Sequence, residues 1–208
     1  MARPRLDAPV PELHLPAALN SVMRLMGNDI GTRERLILLA IHEIMTTGPS
    51  DFNARIVCER LGVKQSMIPY HFGSRDGFIV EATIWAYRDW SNYATDILRR
   101  TVGNGEKRLR AYLNSELDWA SRMGPMALLV QYPMLSAPVR AKLQEKYGDE
   151  MRRKLEFHLA ALCDLVIDIR TGSTTPLDYD DTNYPPIEKA ITHATEFLTA
   201  TSISWASH

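Results

Sequence analysis

An all-α protein is predicted for this chain of 208 residues, on three observations. Apolar residues recur at three- and four-residue spacing through nearly every long segment. Glycine and proline fall at the ends of those segments, and no run alternates apolar and polar residues as a half-buried strand would. With 45% hydrophobic residues the chain can bury a substantial core, so disorder is excluded as its dominant state.

Residues 1–16 carry prolines at 4, 9, 11 and 16, which predicts an extended or disordered arm. Arg3 and Arg5 give that arm a basic tip, either to enter a minor groove or simply to be solvated. Leu19, Val22, Met23 and Met26 then predict a short helix over Ala17–Met26. The next helix starts at Thr32, with Leu36, Ile37, Leu39, Ala40, Ile41 and Ile44 on its apolar face, and stops at Gly48-Pro49-Ser50.

Asn53 is a good cap for a two-turn helix in which Ala54, Val57, Cys58 and Leu61 share a face. Gly62 ends it, since glycine takes the left-handed conformation without steric cost, and Val63 anchors the turn. A second helix is expected from Lys64 to about His71. Pro69 inside it should produce a kink, by removing one donor and crowding the carbonyl of Gln65. Helix, glycine turn and a second helix with a polar leading edge is the pattern that lays its second helix in the DNA major groove.

Ser74 is the next cap, with Asp76 in the first turn. A long helix follows through Ile79, Ala82, Ala86, Trp90, Tyr93 and Ile97 to Arg99-Arg100, and Gly103-Asn104-Gly105 stops it. Further helices are expected over Glu106–Met123 and Pro125–Gln131. A long stripe from Ala137 to Thr171 has Gly148 as its expected joint. Thr171–Pro186 is polar and proline-bounded, hence a loop, and Ile187, Ala190, Ile191, Ala194, Phe197 and Leu198 mark a last helix.

From Thr32-Arg33-Glu34-Arg35-Leu36-Ile37, through Gly48 and Leu61-Gly62-Val63, to Tyr70-His71-Phe72-Gly73-Ser74-Arg75-Asp76-Gly77-Phe78, the chain resembles the DNA-binding domain of the TetR (tetracycline-repressor-like) transcriptional regulators. The likeness covers roughly residues 32 to 80. Pro69 departs from it, standing where that family usually has an aromatic residue before the tyrosine. The resemblance implies an N-terminal helix-turn-helix three-helix domain joined by a long fourth helix to a C-terminal helical domain for ligand binding and dimerisation. The corresponding boundaries are 1–28 for the arm and short helix, 29–78 for the DNA-binding domain and 79–208 for the remainder. The implied partners are a palindromic operator in double-stranded DNA, an unknown small-molecule effector and a second copy of the chain, and the implied function is a dimeric repressor released by that effector.

On DNA, Gln65 is the best base reader, because its amide pairs bidentately with adenine; Ser66 is versatile, and Met67 suits a thymine methyl. Lys64, Tyr70, His71 and Arg75 are candidate phosphate contacts, with Arg33 and Arg55 adding to the backbone grip. Arg75 stands where the family has a basic residue at the start of its fourth helix. The charge balance supports this only weakly. Net charge is −1 overall, +2 over residues 1–75 and −3 over the rest.

For a ligand, Tyr112, Glu116, Trp119 and Met123 share one helix face and with Trp85 form the candidate binding set, a carboxylate among aromatic and thioether groups. The alternative is a Glu116 at the solvent edge of an apolar stripe. Trp90, Tyr93, Tyr132 and His158 suit core or interface packing.

Catalysis has little support: His42, His71, His158 and His193 are scattered, and no nucleophile elbow, phosphate loop or metal-ligand spacing occurs. No catalytic residue, metal or cofactor is therefore expected. Cys58 and Cys163 are too few for a disulfide framework, and no apolar run reaches a membrane span, so a reduced, cytoplasmic setting away from membranes is expected. Two other readings stay open: a protein-interaction module whose paired helices touch only protein, and a small helical enzyme.

Overall fold

The computed structural model describes residues 30–130, 135–178, 180, 182–193 and 195–196. It is all-helical, with seven helices and no strand among the described residues. They are α1 (Thr32–Thr47), α2 (Ala54–Leu61), α3 (Met67–Phe72), α4 (Arg75–Arg100), α5 (Gly105–Met123), α6 (Pro125–Val130) and α7 (Ala137–Thr171). A further helical stretch occupies 187–193. No described helix is long and apolar enough to cross a membrane. The expected arm, the helix at Ala17–Met26, Tyr132 and the end of the last helix lie outside the described residues.

Contacts divide the chain into two units. One runs to Asp89 and takes in Arg122–Leu143; the other comprises Trp90–Ser121 and the chain from Gln144 on. The division falls inside α4 and α7.

In the first unit α1 packs on α2 and α6. Its apolar stripe, Leu36–Ile41 with Ile44, is almost wholly buried, each large side chain contributing about 1.5–3 kcal/mol relative to exposure. Phe78 from α4 stacks on Phe72 at a centroid distance of 4.5 Å and meets Phe52 edge-on at 5.7 Å. These rings tie α3 and the turn before α2 to α4. The carboxylate of Glu43, buried on α1, pairs with Arg60 of α2 at 3.0 Å.

The second unit is built on Ala94 and Leu98 of α4, Tyr112 of α5 and Ala161 and Leu165 of α7, with Leu109, Leu162 and Leu177 around them. At Gly105 the backbone of α5 lies close against that of α7. A Cβ at that position would lie 2.7 Å from the Ile169 nitrogen and 2.8 Å from the Leu165 oxygen, so no side chain fits without moving backbone. Asp168 is 1% exposed and collects four partners. They are Arg108 at 3.5 Å, the Thr175 amide at 2.8 Å, the Thr175 hydroxyl at 2.6 Å and the Ser173 hydroxyl at 2.8 Å. Arg108 also donates to the Thr175 carbonyl at 2.6 Å, which pins the strand-free segment after α7 to the helices.

Two local expectations are corrected. Gly148 is no joint, for α7 continues unbroken through it over 35 residues. A helical glycine costs about 1 kcal/mol relative to alanine, too little to break a helix with Leu143, Phe157, Ala161 and Leu165 buried along it. The helix expected from Lys64 begins instead at Met67, and Pro69 falls within its first turn. An amide there has no intrahelical partner to lose, so proline shortens the helix without kinking it. The Gln65 carbonyl, which Pro69 cannot reach, accepts from the Ile68 amide at 3.0 Å.

Candidate functional site

The first candidate is the turn between α2 and α3. Asn53 caps α2 by accepting from the Arg55 amide at 3.0 Å. Gly62 closes the helix in the left-handed region at φ 70°, its amide directed at the Cys58 and Glu59 carbonyls. Val63 donates to the Cys58 carbonyl at 3.0 Å, the Schellman arrangement. Lys64, Gln65 and Ser66 then form the outer turn, with Met67 and Ile68 donating back to the Lys64 and Gln65 carbonyls at 3.0 Å each. Backbone groups are thus occupied locally, and Ile68 is driven into the core. The side chains of Lys64, Gln65 and Ser66 are exposed, with no hydrogen bond or ion pair among the described residues. Tyr70 is 78% exposed, an unusual position for so large a ring.

The other residues predicted for DNA differ from these. Arg55 is exposed but bonded to Glu59 at 2.6 Å. Arg75 is exposed, donates to the Phe52 carbonyl at 3.0 Å and lies 5.6 Å from the Phe52 ring centroid. Arg33 faces its own fold: it pairs with the buried Glu81 and stands 5.5 Å from the Phe72 ring. His71 is half-buried, edge-on to Tyr70 at 4.8 Å, with its Nε2 shielded from solvent and lacking a hydrogen-bond partner among the described residues. Met67 is half-buried at the base of the turn. Arg33 and His71 thus make contacts within their own unit, Arg33 with Glu81 and the Phe72 ring and His71 with the Tyr70 ring.

The second candidate lies in the second unit. Trp90 donates its indole N–H to Glu116 Oε2 at 2.6 Å. Burial pushes the Glu116 carboxyl above its ordinary range, against the opposing hydrogen bonds from Trp90 and Tyr112. His158 packs beside them, 4.8 Å from the Trp90 ring and 5.8 Å from that of Tyr112, and its Nε2 lies 3.0 Å from Ser91 Oγ. Glu116 and Tyr112 are thus brought together, joined by Trp90 and His158, which the sequence suggests for core or interface packing ahead of ligand contact, and by Ser91, which it does not mark. A buried indole N–H needs an acceptor, and that need was the one available signal. Trp119 is buried in the same unit, whereas Trp85 and Met123 belong to the other.

Among the described residues no group of three or more His, Cys, Asp or Glu is placed to hold a metal ion. Comparison with protein-family models, characterised proteins and solved structures finds no match.

Proposed function

We propose that the protein is a dimeric, sequence-specific DNA-binding regulator of transcription, a repressor that leaves a partly palindromic operator when a small molecule binds. The observation that carries this reading is the outer turn Lys64-Gln65-Ser66, exposed and without a side-chain partner among the described residues, held on its base by the Gly62 turn and the buried Ile68. Rigid presentation of unpaired polar side chains is what base reading requires, since they must meet partners in fixed geometry. The likeness of residues 32 to 80 to the TetR DNA-binding domain supports the same reading.

In this mechanism α2 and α3 form the helix-turn-helix. Gln65 and Ser66 meet base edges, with Met67 at their rim, while Lys64, Tyr70, Arg55 and Arg75 hold phosphates. A second copy supplies the second turn, because paired half-sites lie roughly 34 Å apart. The effector would bind in the second unit around Glu116 and Tyr112, and it releases DNA only if it favours one helix arrangement over another.

Selection from a random pool of duplex DNA tests this reading. One partly palindromic sequence should emerge, bound with an affinity that falls steeply as salt rises. Gln65→Ala should cost about 1–3 kcal/mol at one position of each half-site, whereas Lys64→Ala should weaken all sequences alike. A pool that shows no enrichment would leave a protein-contact role for the turn.

A further inference from the structure

The first unit contains a recess that none of the foregoing uses. Pro49 and Ser50 from the turn after α1, Arg75 and Ile79 from α4, and Leu135, Ser136 and Val139 around the start of α7 line a cavity of about 250 Å³. Its two sides differ in chemistry. Ile79, Leu135 and Val139 are buried and apolar, while Arg75, Ser50 and Ser136 are exposed and polar. Arg75 is held by its bond to the Phe52 carbonyl and by the Phe52 ring. Of the five N–H donors of a guanidinium, only that one is engaged among the described residues. Among the described residues, no acidic side chain lines the cavity. Asp76, the carboxylate next along α4, lies 3.6 Å from Lys142 Nζ, which also donates to Ser74 Oγ at 3.2 Å. The Arg140 guanidinium, beside Val139, donates to the Leu135 carbonyl at 2.7 Å.

We propose that this recess binds a small organic anion: a carboxylate with a short apolar body. The carboxylate would pair with Arg75 and the Ser50 and Ser136 hydroxyls, and the tail would lie on Ile79, Leu135 and Val139. An inorganic anion satisfies Arg75 but leaves the apolar wall wet, and an uncharged molecule leaves the guanidinium unmatched. The volume lies just below the roughly 300–1,000 Å³ of pockets that hold drug-sized ligands, so the occupant has only a few carbons. One consequence rests on the DNA reading above. Arg75 cannot give the same donors to a carboxylate and to a DNA phosphate, so occupancy weakens DNA binding, and by reciprocity DNA weakens occupancy.

The test is calorimetric titration of the full chain with isovalerate, with isoamyl alcohol as its uncharged counterpart and inorganic phosphate as an anion without a tail. Isovalerate should bind saturably at one site per chain, and the other two at least about tenfold more weakly. Arg75→Ala should lose the site. Ser136→Glu, at an exposed position and with helix content checked by circular dichroism, should lose it by charge repulsion. Absence of saturable isovalerate binding, or undiminished binding by folded Ser136→Glu, overturns the site. These titrations contain no DNA, so they stand apart from the operator selection. On a selected operator, isovalerate should lower the affinity of the wild type. Binding of isovalerate without that loss overturns the competition and leaves the DNA reading untouched.

Discussion

The turn at 62–66 and the cluster around Asp168 treat polar groups in opposite ways. Around the buried Asp168, the buried Arg108 and the exposed Ser173 and Thr175 all direct their donors at one carboxylate. At the turn, the backbone is satisfied locally while the exposed Lys64, Gln65 and Ser66 side chains bond to no other side chain among the described residues. The first arrangement holds the protein's own elements together, since an orphaned buried charge is costly. The second adds little to stability and leaves its donors and acceptors for another molecule. Glu116 stands between them, buried enough to feel desolvation yet bonded to Trp90.

The largest way to break this comparison is Asp168→Ala. It strands Arg108 in a buried site and should cost about 3–5 kcal/mol, measured by urea unfolding. The cost should depend on pH in a defined direction. Burial alone would raise the Asp168 carboxyl, but the hydrogen bonds from Thr175 and Ser173 and the Arg108 charge together hold it below the ordinary carboxylate range. Its stabilisation is therefore complete above the unfolded value of about 4 and disappears as pH falls through the lower folded value. The gap between wild type and variant should narrow in acid; a gap constant with pH would mean that the charge is not what stabilises.

Next is Gly105→Ala, which should destabilise by about 1–3 kcal/mol because α5 must move off α7. Gly62→Ala forces a Cβ into the left-handed region and should cost about 1–2 kcal/mol. Unlike Gly105→Ala, it should also impair DNA selection by displacing Lys64 and Gln65. Glu116→Gln keeps an acceptor for Trp90 and removes the buried charge. Since the raised carboxyl means stability is lost as pH climbs through its folded value, the variant should be more stable than wild type at neutral pH, by well under about 1 kcal/mol because solvent screens a half-buried group, and equal to it in acid. The smallest effect on folding belongs to Lys64→Ala, expected within about 0.5 kcal/mol by thermal unfolding. A larger loss would show that the outer turn is internally bonded after all.

Local signals account for nearly all helix boundaries. Asn53 and Ser74 cap as their side chains predict, and Gly48 and Gly62 end helices with positive φ. Apolar spacing marks the buried residues of α1 because a helix face is a property of a few successive turns. Pro69 and Gly148 were legible as breakers but not in their effect, which depends on where the helix starts and on what covers it.

What the sequence alone determined, then, is the helical class, the caps and stops, and the polar outer turn, because hydrogen bonds and side-chain periodicity act over about four residues. Only the tertiary structure decided that Trp90 meets Glu116, that Ser91 meets His158 and that Arg108 meets Asp168 and Thr175. It also decided that Arg33 and His71 turn toward the core while Arg75 lines a recess. Those partners lie far apart in the chain, and a buried polar group is matched by whichever helix packs against it, which no local pattern encodes.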